Sequence, residues 1–168
     1  MEPRLAIAHL ISKPLTQLQA VEAQIAQSSL EPALLHLVKM RASQINGCAY
    51  CLDMHSKDAR AEGESEQRLY ALDAWSETPF FDERERAALL WTEAVTRVTE
   101  DHVPDQVYDA VRGHFSDGEL AYLTLAIAMI NAWNRLNVAL RNIPGDYRPG
   151  MLRTIREGMS QRDARDGG

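Results

Sequence analysis

The sequence predicts an all-α, single-domain helical bundle. Three observations carry that prediction. Apolar residues recur at helical spacing along the chain, helix start and stop signals alternate between them, and no alternating run of β-branched residues marks a strand.

Leu15, Leu18, Val21 and Ile25 form the first apolar stripe. Pro32 suits a first helical turn, and Leu34, Leu35, Val38, Ala42 and Ile45 then share one side of a helix that Asn46-Gly47 breaks. The next helix is expected from Cys48 to Glu62, with Gly63 just beyond as a stop. A shorter helix over Glu66 to Trp75 should end at Thr78-Pro79. Asp82 with Glu85 has the spacing of a capping box before Ala87, Leu90, Trp91 and Val95. Pro104 opens a helix through Val107, Val111 and Phe115. Ser116 with Glu119 is a second capping-box pattern, before a long apolar helix from Leu120 to about Leu140. Pro144, Gly145 and Pro149 end it. That helix is apolar on more than one face, which places it in the bundle centre or in a subunit interface. The expected organisation is a helical domain over 1–150 and a charged C-terminal tail over 151–168, frayed or disordered.

The chain has 168 residues, 45% hydrophobic and 25% charged, enough for a core without disulfide staples. Its net charge of −6 argues against nucleic acid or an anionic membrane as partner. The run from Leu120 to Trp133 is shorter than the ~20 residues of a membrane span and contains Asn131. No apolar run of signal-peptide length follows Met1-Glu2-Pro3-Arg4, so the expected compartment is the cytoplasm. There, two cysteines three apart point to catalysis or metal binding rather than to a structural bridge.

The strongest local signal is Cys48-Ala49-Tyr50-Cys51-Leu52-Asp53-Met54-His55. Cys48 and Cys51 are i and i+3 on a helix, and His55 follows Cys51 by four, so all three share a side. The free amides and dipole of a helix start favour a thiolate at Cys48, and His55 favours one at Cys51. A thiolate and a neighbouring resolving thiol are the parts of thiol–disulfide chemistry. Two other readings stand beside this one. The pair is half a zinc site, which needs two further ligands that His9, His36, His102 and His114 do not supply in any paired motif. Or the cysteines are inert core residues. Haem attachment is excluded because Leu52 follows Cys51, and a thioredoxin domain is disfavoured because no strand precedes the motif.

The segments Arg41-Ala42-Ser43-Gln44-Ile45-Asn46-Gly47-Cys48-Ala49-Tyr50-Cys51 and Met54-His55 resemble the signature of AhpD-like, or carboxymuconolactone decarboxylase-like, proteins. Glu77-Thr78-Pro79-Phe80-Phe81, the run Arg84 to Glu93, and Ile130 to Arg135 are similar to one branch of that family. The resemblance spans roughly Leu30 to Leu140. It implies an AhpD-like helical bundle that assembles as a dimer, trimer or hexamer. It implies alkylhydroperoxidase-type activity without bound cofactor or metal, acting on a small hydroperoxide and recharged by an external dithiol or thiol reductase. Carried over, Cys51 is the more exposed, attacking thiol, Cys48 resolves, and His55 helps move protons. Two positions depart from the pattern. His36 stands where the family relay places a glutamate, and Tyr50 stands where the best-studied type has a histidine. His36 can accept a proton, or it is a satisfied core residue.

Asn131 and Asn134 interrupt an apolar helix beside Trp133 and Arg135, and either contact the redox site or bond loops and a neighbouring subunit. Trp75, Trp91, Phe80 and Phe81 line a pocket or fill the core. Asp53, Lys57, Asp58 and Arg60 are expected on the solvated face of the cysteine helix. Besides a peroxidase, the pattern fits a redox-sensing or disulfide-exchange module. A carboxymuconolactone-type decarboxylase is disfavoured, because that reaction has no need of a cysteine pair.

Overall fold

The computed structural model describes residues 2–151 and is all-helical, as expected. The tail proposed over 151–168 lies outside the described residues beyond Met151. The helices are α1 (Ile7–Leu10), α2 (Ser12–Ala26), α3 (Pro32–Ile45), α4 (Ala49–Ala61), α5 (Glu66–Ala71), α6 (Glu83–Thr96), α7 (Val98–Asp101), α8 (Asp105–Arg112) and α9 (Asp117–Leu140).

Both capping boxes form. Asp82 Oδ1 accepts from the Glu85 amide at 2.8 Å while Glu85 Oε2 accepts from the Asp82 amide at 2.9 Å. Ser116 and Glu119 do the same for α9. Such reciprocal bonds satisfy amides that a helix start otherwise leaves bare. Three expected boundaries shift. Cys48 is the N-cap of α4 rather than its first helical residue. The helix expected over Glu66 to Trp75 becomes α5 followed by a 3₁₀ turn, Leu72–Glu77, in which Ala74 leaves helical geometry. The helix after Pro104 stops at Arg112, and Phe115 is buried in the link beyond it.

Helix α3 is the hub and packs against α4, α6 and α9. The main core lies between α2, α3, α6, α8 and α9, around Ile25, Val38, Ala88, Val111, Leu123 and Ile127. A second core under α5 joins Leu37, Leu69, Leu72, Phe81 and Leu89. Arg41 is the polar tie between them. Its Nε donates to Glu93 at 2.8 Å, its Nη1 to Asp73, and Trp75 Nε1 reaches the same Glu93 oxygen at 2.7 Å. Arg41 is only 6% exposed, so these carboxylates are what make its burial tolerable.

The N-terminal segment is stapled to the far end of α9. The Arg4 amide donates to Leu140 O and its guanidinium to Ala139 O, each at 2.9 Å. These are terminal carbonyls that the helix itself cannot satisfy. On α9, Tyr122 and Leu125 are exposed apolar side chains one turn apart, and Val138 is exposed on another side near its end. Among the described residues no helix is long and apolar enough to cross a membrane.

Ile127 is fully buried at the meeting of these helices. Ile127→Ala should lower unfolding free energy by about 3 kcal/mol through lost burial and the cavity left behind. Urea unfolding checks this, with the midpoint falling and the slope unchanged.

Candidate active site

The end of α3 delivers the first cysteine. Gly47 takes φ +63, a left-handed conformation that suits glycine, and the Cys48 amide then reaches back to Ser43 O at 3.0 Å while the Gly47 amide bonds Gln44 O at 3.2 Å. This closing turn leaves Cys48 with extended backbone at the head of α4. Its sulfur occupies the place usually held by a serine or aspartate oxygen and accepts the Cys51 amide at 3.4 Å.

Both cysteines are free thiols and both are buried, at 1% and 0% exposure. The expected difference in exposure between them is therefore absent in this chain. Their protonation separates instead. The hydrogen bond from the Cys51 thiol, aided by the Cys51 amide and Asn134, lowers Cys48 to about 7 against the opposing effect of burial. The same bond, together with burial and the Cys48 charge, pushes Cys51 up. As pH rises through about 7 the pair thus passes to a one-proton form, with the proton on Cys51 and shared toward the Cys48 thiolate.

A belt of asparagines from α9 encloses the sulfurs. Asn137 Nδ2 donates to Cys51 Sγ at 3.3 Å, and Asn142 Nδ2 donates to Asn137 Oδ1 at 2.6 Å, which fixes the Asn137 amide with its N–H toward sulfur. Asn134 Nδ2 donates to Ser43 Oγ at 3.0 Å. Asn46 Nδ2 donates to Asn134 Oδ1 at 2.9 Å and to Asn131 Oδ1 at 3.0 Å. Asn134 joins Ser43 to the loop and favours the charged form of both thiols, whereas Asn131 braces the loop through Asn46. Asn137, Asn46 and Asn142 escaped the sequence reading. The signal was present in the three-residue spacing of Asn131, Asn134 and Asn137 along an apolar helix.

Beside the pair lies a cavity of about 360 Å³, walled by Ile7 and Leu15 on one side and by His36, Tyr50, His55, Trp133 and Asn137 on the other. Three of the residues singled out from sequence, His36, Tyr50 and His55, meet there. His55 is buried, and that burial, reinforced by the positive charge of Lys39 and by His36, holds its imidazole well below the ordinary histidine range, hence neutral. Burial and the nearby acidic groups raise Tyr50, leaving a protonated phenol. The hydrogen bond that Cys51 receives comes from Asn137 rather than from His55.

Other candidates settle elsewhere. Trp75, Trp91 and Phe81 belong to the cores, with Trp91 Nε1 bonded to Thr124 at 2.9 Å. Asp53, Lys57 and Asp58 do not form a solvated face. Lys57 donates to Gly145 O at 2.8 Å, Asp53 accepts the Gly145 amide at 3.0 Å, and Tyr147 Oη donates to Asp58 at 2.9 Å, so they clamp the segment after α9. Among the described residues no group of three or more His, Cys, Asp or Glu side chains converges as a metal site.

The sequence pattern of the carboxymuconolactone decarboxylase family matches residues 14–94. The chain is 39% identical over 142 residues to the uncharacterized protein YdfG of Bacillus subtilis (strain 168), an alignment that spans 84% of this chain and 97% of that one. This chain belongs to the carboxymuconolactone decarboxylase family. A solved structure from Agrobacterium tumefaciens, described as of unknown function and as a candidate antioxidant defence protein AhpD, is 40% identical with a TM-score of 0.83, over 87% of this chain and all of that one. A peroxidase-related protein from Silicibacter sp. TM1040 shares the fold at 22% identity and a TM-score of 0.71, over 82% of this chain and 73% of that one. The AhpD-like bundle of this family member is therefore the one its cysteine motif implied.

A thiolate on Cys48 is directly measurable. Ultraviolet thiolate absorbance of the reduced protein should rise with pH through a midpoint of about 7. Cys48→Ser should remove that transition, whereas Cys51→Ala should move it to higher pH by deleting the side chain that donates to Cys48.

Proposed function

We propose that this family member is a thiol-dependent peroxidase of the alkylhydroperoxidase type. The observation that carries the reading is the Cys48–Cys51 pair, joined by the Cys51 amide on Cys48 Sγ and by Asn137 on Cys51 Sγ, next to a cavity lined by Asn137 and two histidines. The description of the Agrobacterium relative as a candidate antioxidant defence protein supports the same reading.

In the proposed cycle Cys51 hands its proton to Cys48 and attacks. Cys51 is chosen because its sulfur is bonded by Asn137, which lines the cavity, and that amide stabilises the anion as it forms. The thiolate sulfur bonds to the distal oxygen of a hydroperoxide, the O–O bond breaks, and the alkoxide leaves and takes up one proton. Cys48 then attacks the sulfenic acid, forming the disulfide and releasing water. An external dithiol returns both electrons and is itself oxidised. The cavity has the size for a small organic hydroperoxide, with Ile7, Leu15, Met54 and Trp133 as apolar contacts.

The burial of both sulfurs favours a second reading, a redox sensor that is oxidised once. Turnover separates the two. With cumene hydroperoxide and excess dithiothreitol, the wild type should consume peroxide continuously, and Cys48→Ser or Cys51→Ser should each slow this on the order of a hundredfold or more. One peroxide consumed per chain, with no continued turnover, marks the sensor. Wild-type turnover retained in Cys51→Ser removes the attacking role.

The exposed apolar pair Tyr122 and Leu125, three residues apart on α9, supports a homo-oligomer built on that face. Leu125→Glu should shift sedimentation toward the monomer, and a wild type already monomeric at micromolar concentration overturns this.

A further inference from the structure

One wall of the cavity beside the thiols is built from the lightest part of the fold. Ile7 and Ala8 of α1 line it, facing the deep wall that carries Tyr50, Trp133 and Asn137. Helix α1 is four residues long, buries no side chain, and leaves Leu10 exposed. It packs on α2. A segment with so little apolar burial opens at low cost. Arg4 fastens it, through the two hydrogen bonds to Leu140 O and Ala139 O at the end of α9. Two residues past Leu140, Asn142 lines the same cavity and orients Asn137, whose amide bonds Cys51. The fastening and the way to the sulfur thus meet at one helix end.

The charged and polar side chains that reach the cavity already have partners. Lys39 lies 2.6 Å from Glu22, and Glu22 also accepts from Trp133 Nε1 at 3.1 Å. Asp58 accepts from Tyr147, and His36 Nε2 lies 3.0 Å from Glu62 Oε2. Burial keeps His55 neutral. An ionic guest brings a charge into this space with no counter-charge set aside for it, a cost that an uncharged guest escapes. Leu15, Met54 and Trp133, together with Ile7 and Ala8, offer apolar contact instead.

We propose that residues 4–11 form a clasped lid that admits small, uncharged molecules to the cavity, with Ile7 and Ala8 as its specificity-determining residues. For the molecule that reacts inside, the inference rests on the peroxidase reading. It narrows the substrate class to small, uncharged organic hydroperoxides and disfavours those that carry a carboxylate. Arg4 sets how often the lid opens. The side chains at positions 7 and 8 set what passes.

The test is alkylation of the reduced full chain by iodoacetamide, iodoacetate and an N-naphthyl iodoacetamide, each rate divided by that on glutathione. In the wild type, iodoacetamide should lead the charged and the bulky reagent on the order of tenfold. Arg4→Pro removes the amide donor and the guanidinium together. It should speed the two disfavoured reagents most, shrinking both ratios on the order of threefold or more. Ala8→Trp should move the bulky-reagent ratio the opposite way by a similar factor. The urea midpoint should be the same in all three proteins, because α1 buries no side chain. Wild-type ratios near one, or ratios that both variants leave unmoved, overturn the lid. Equal acceleration of all three reagents in Arg4→Pro with a fallen urea midpoint is general unfolding and overturns it too. With peroxide and dithiothreitol, kcat/KM for cumene hydroperoxide should exceed that for its para-carboxylate, and Arg4→Pro should narrow the gap. If the wild type turns over no peroxide, the peroxidase reading fails, while the alkylation ratios still decide the lid.

Discussion

A helix must find acceptors for its first amides, and here one of those acceptors is a sulfur. The bond from the Cys51 amide to Cys48 Sγ sets the register of α4, and so decides where Cys51, His55 and Glu62 fall around it. The same bond helps ionise the sulfur that accepts it. Local folding and thiol chemistry are therefore one constraint, and the Gly47 turn exists to satisfy it. A side chain at that φ would be strained, and relaxing the strain would withdraw Cys48 from the helix end.

The rest of the bundle holds this junction still. Helix α3 presents Ser43 and Asn46 to the loop while its other faces are locked to α6 and α9. Helix α9 places three amides in an apolar environment, where each must be paired, and the pairing of Asn137 with Asn142 turns its N–H toward sulfur. Arg41 joins Glu93 and Asp73 on the opposite side of α3, so the hub is tied on two sides by polar contacts and on the rest by packing.

Much of this was legible in the chain. Periodicity alone placed α2, and periodicity with start signals placed α3, α6 and α9. The spacing of Cys48, Cys51 and His55 placed the centre of the site. Three things were not legible. The break after Ala71 follows from packing of Leu72 and Trp75 against the second core, which overrides a continuous helical pattern. The charged residues of α4 read as solvated because their partners, Gly145 and Tyr147, lie about ninety positions away. Burial of both sulfurs is likewise a tertiary property, and with it the split in their protonation. His36 shows the same limit, since its partner on α4 is invisible until α3 and α4 are packed together.

The sulfur cap has a thermodynamic consequence for the redox couple as a whole. A thiolate caps a helix well, and a sulfur tied into a disulfide has given up the charge that made it a good acceptor. The disulfide of the proposed cycle would therefore loosen the first turn of α4, at a cost of about 1 kcal/mol on the scale of other N-caps. By the relation between free energy and voltage for a two-electron couple, that loss raises the reduction potential by about 20 mV. In the proposed cycle the fold would thus lean toward the dithiol form, with the start of α4 acting as a spring that favours recharging.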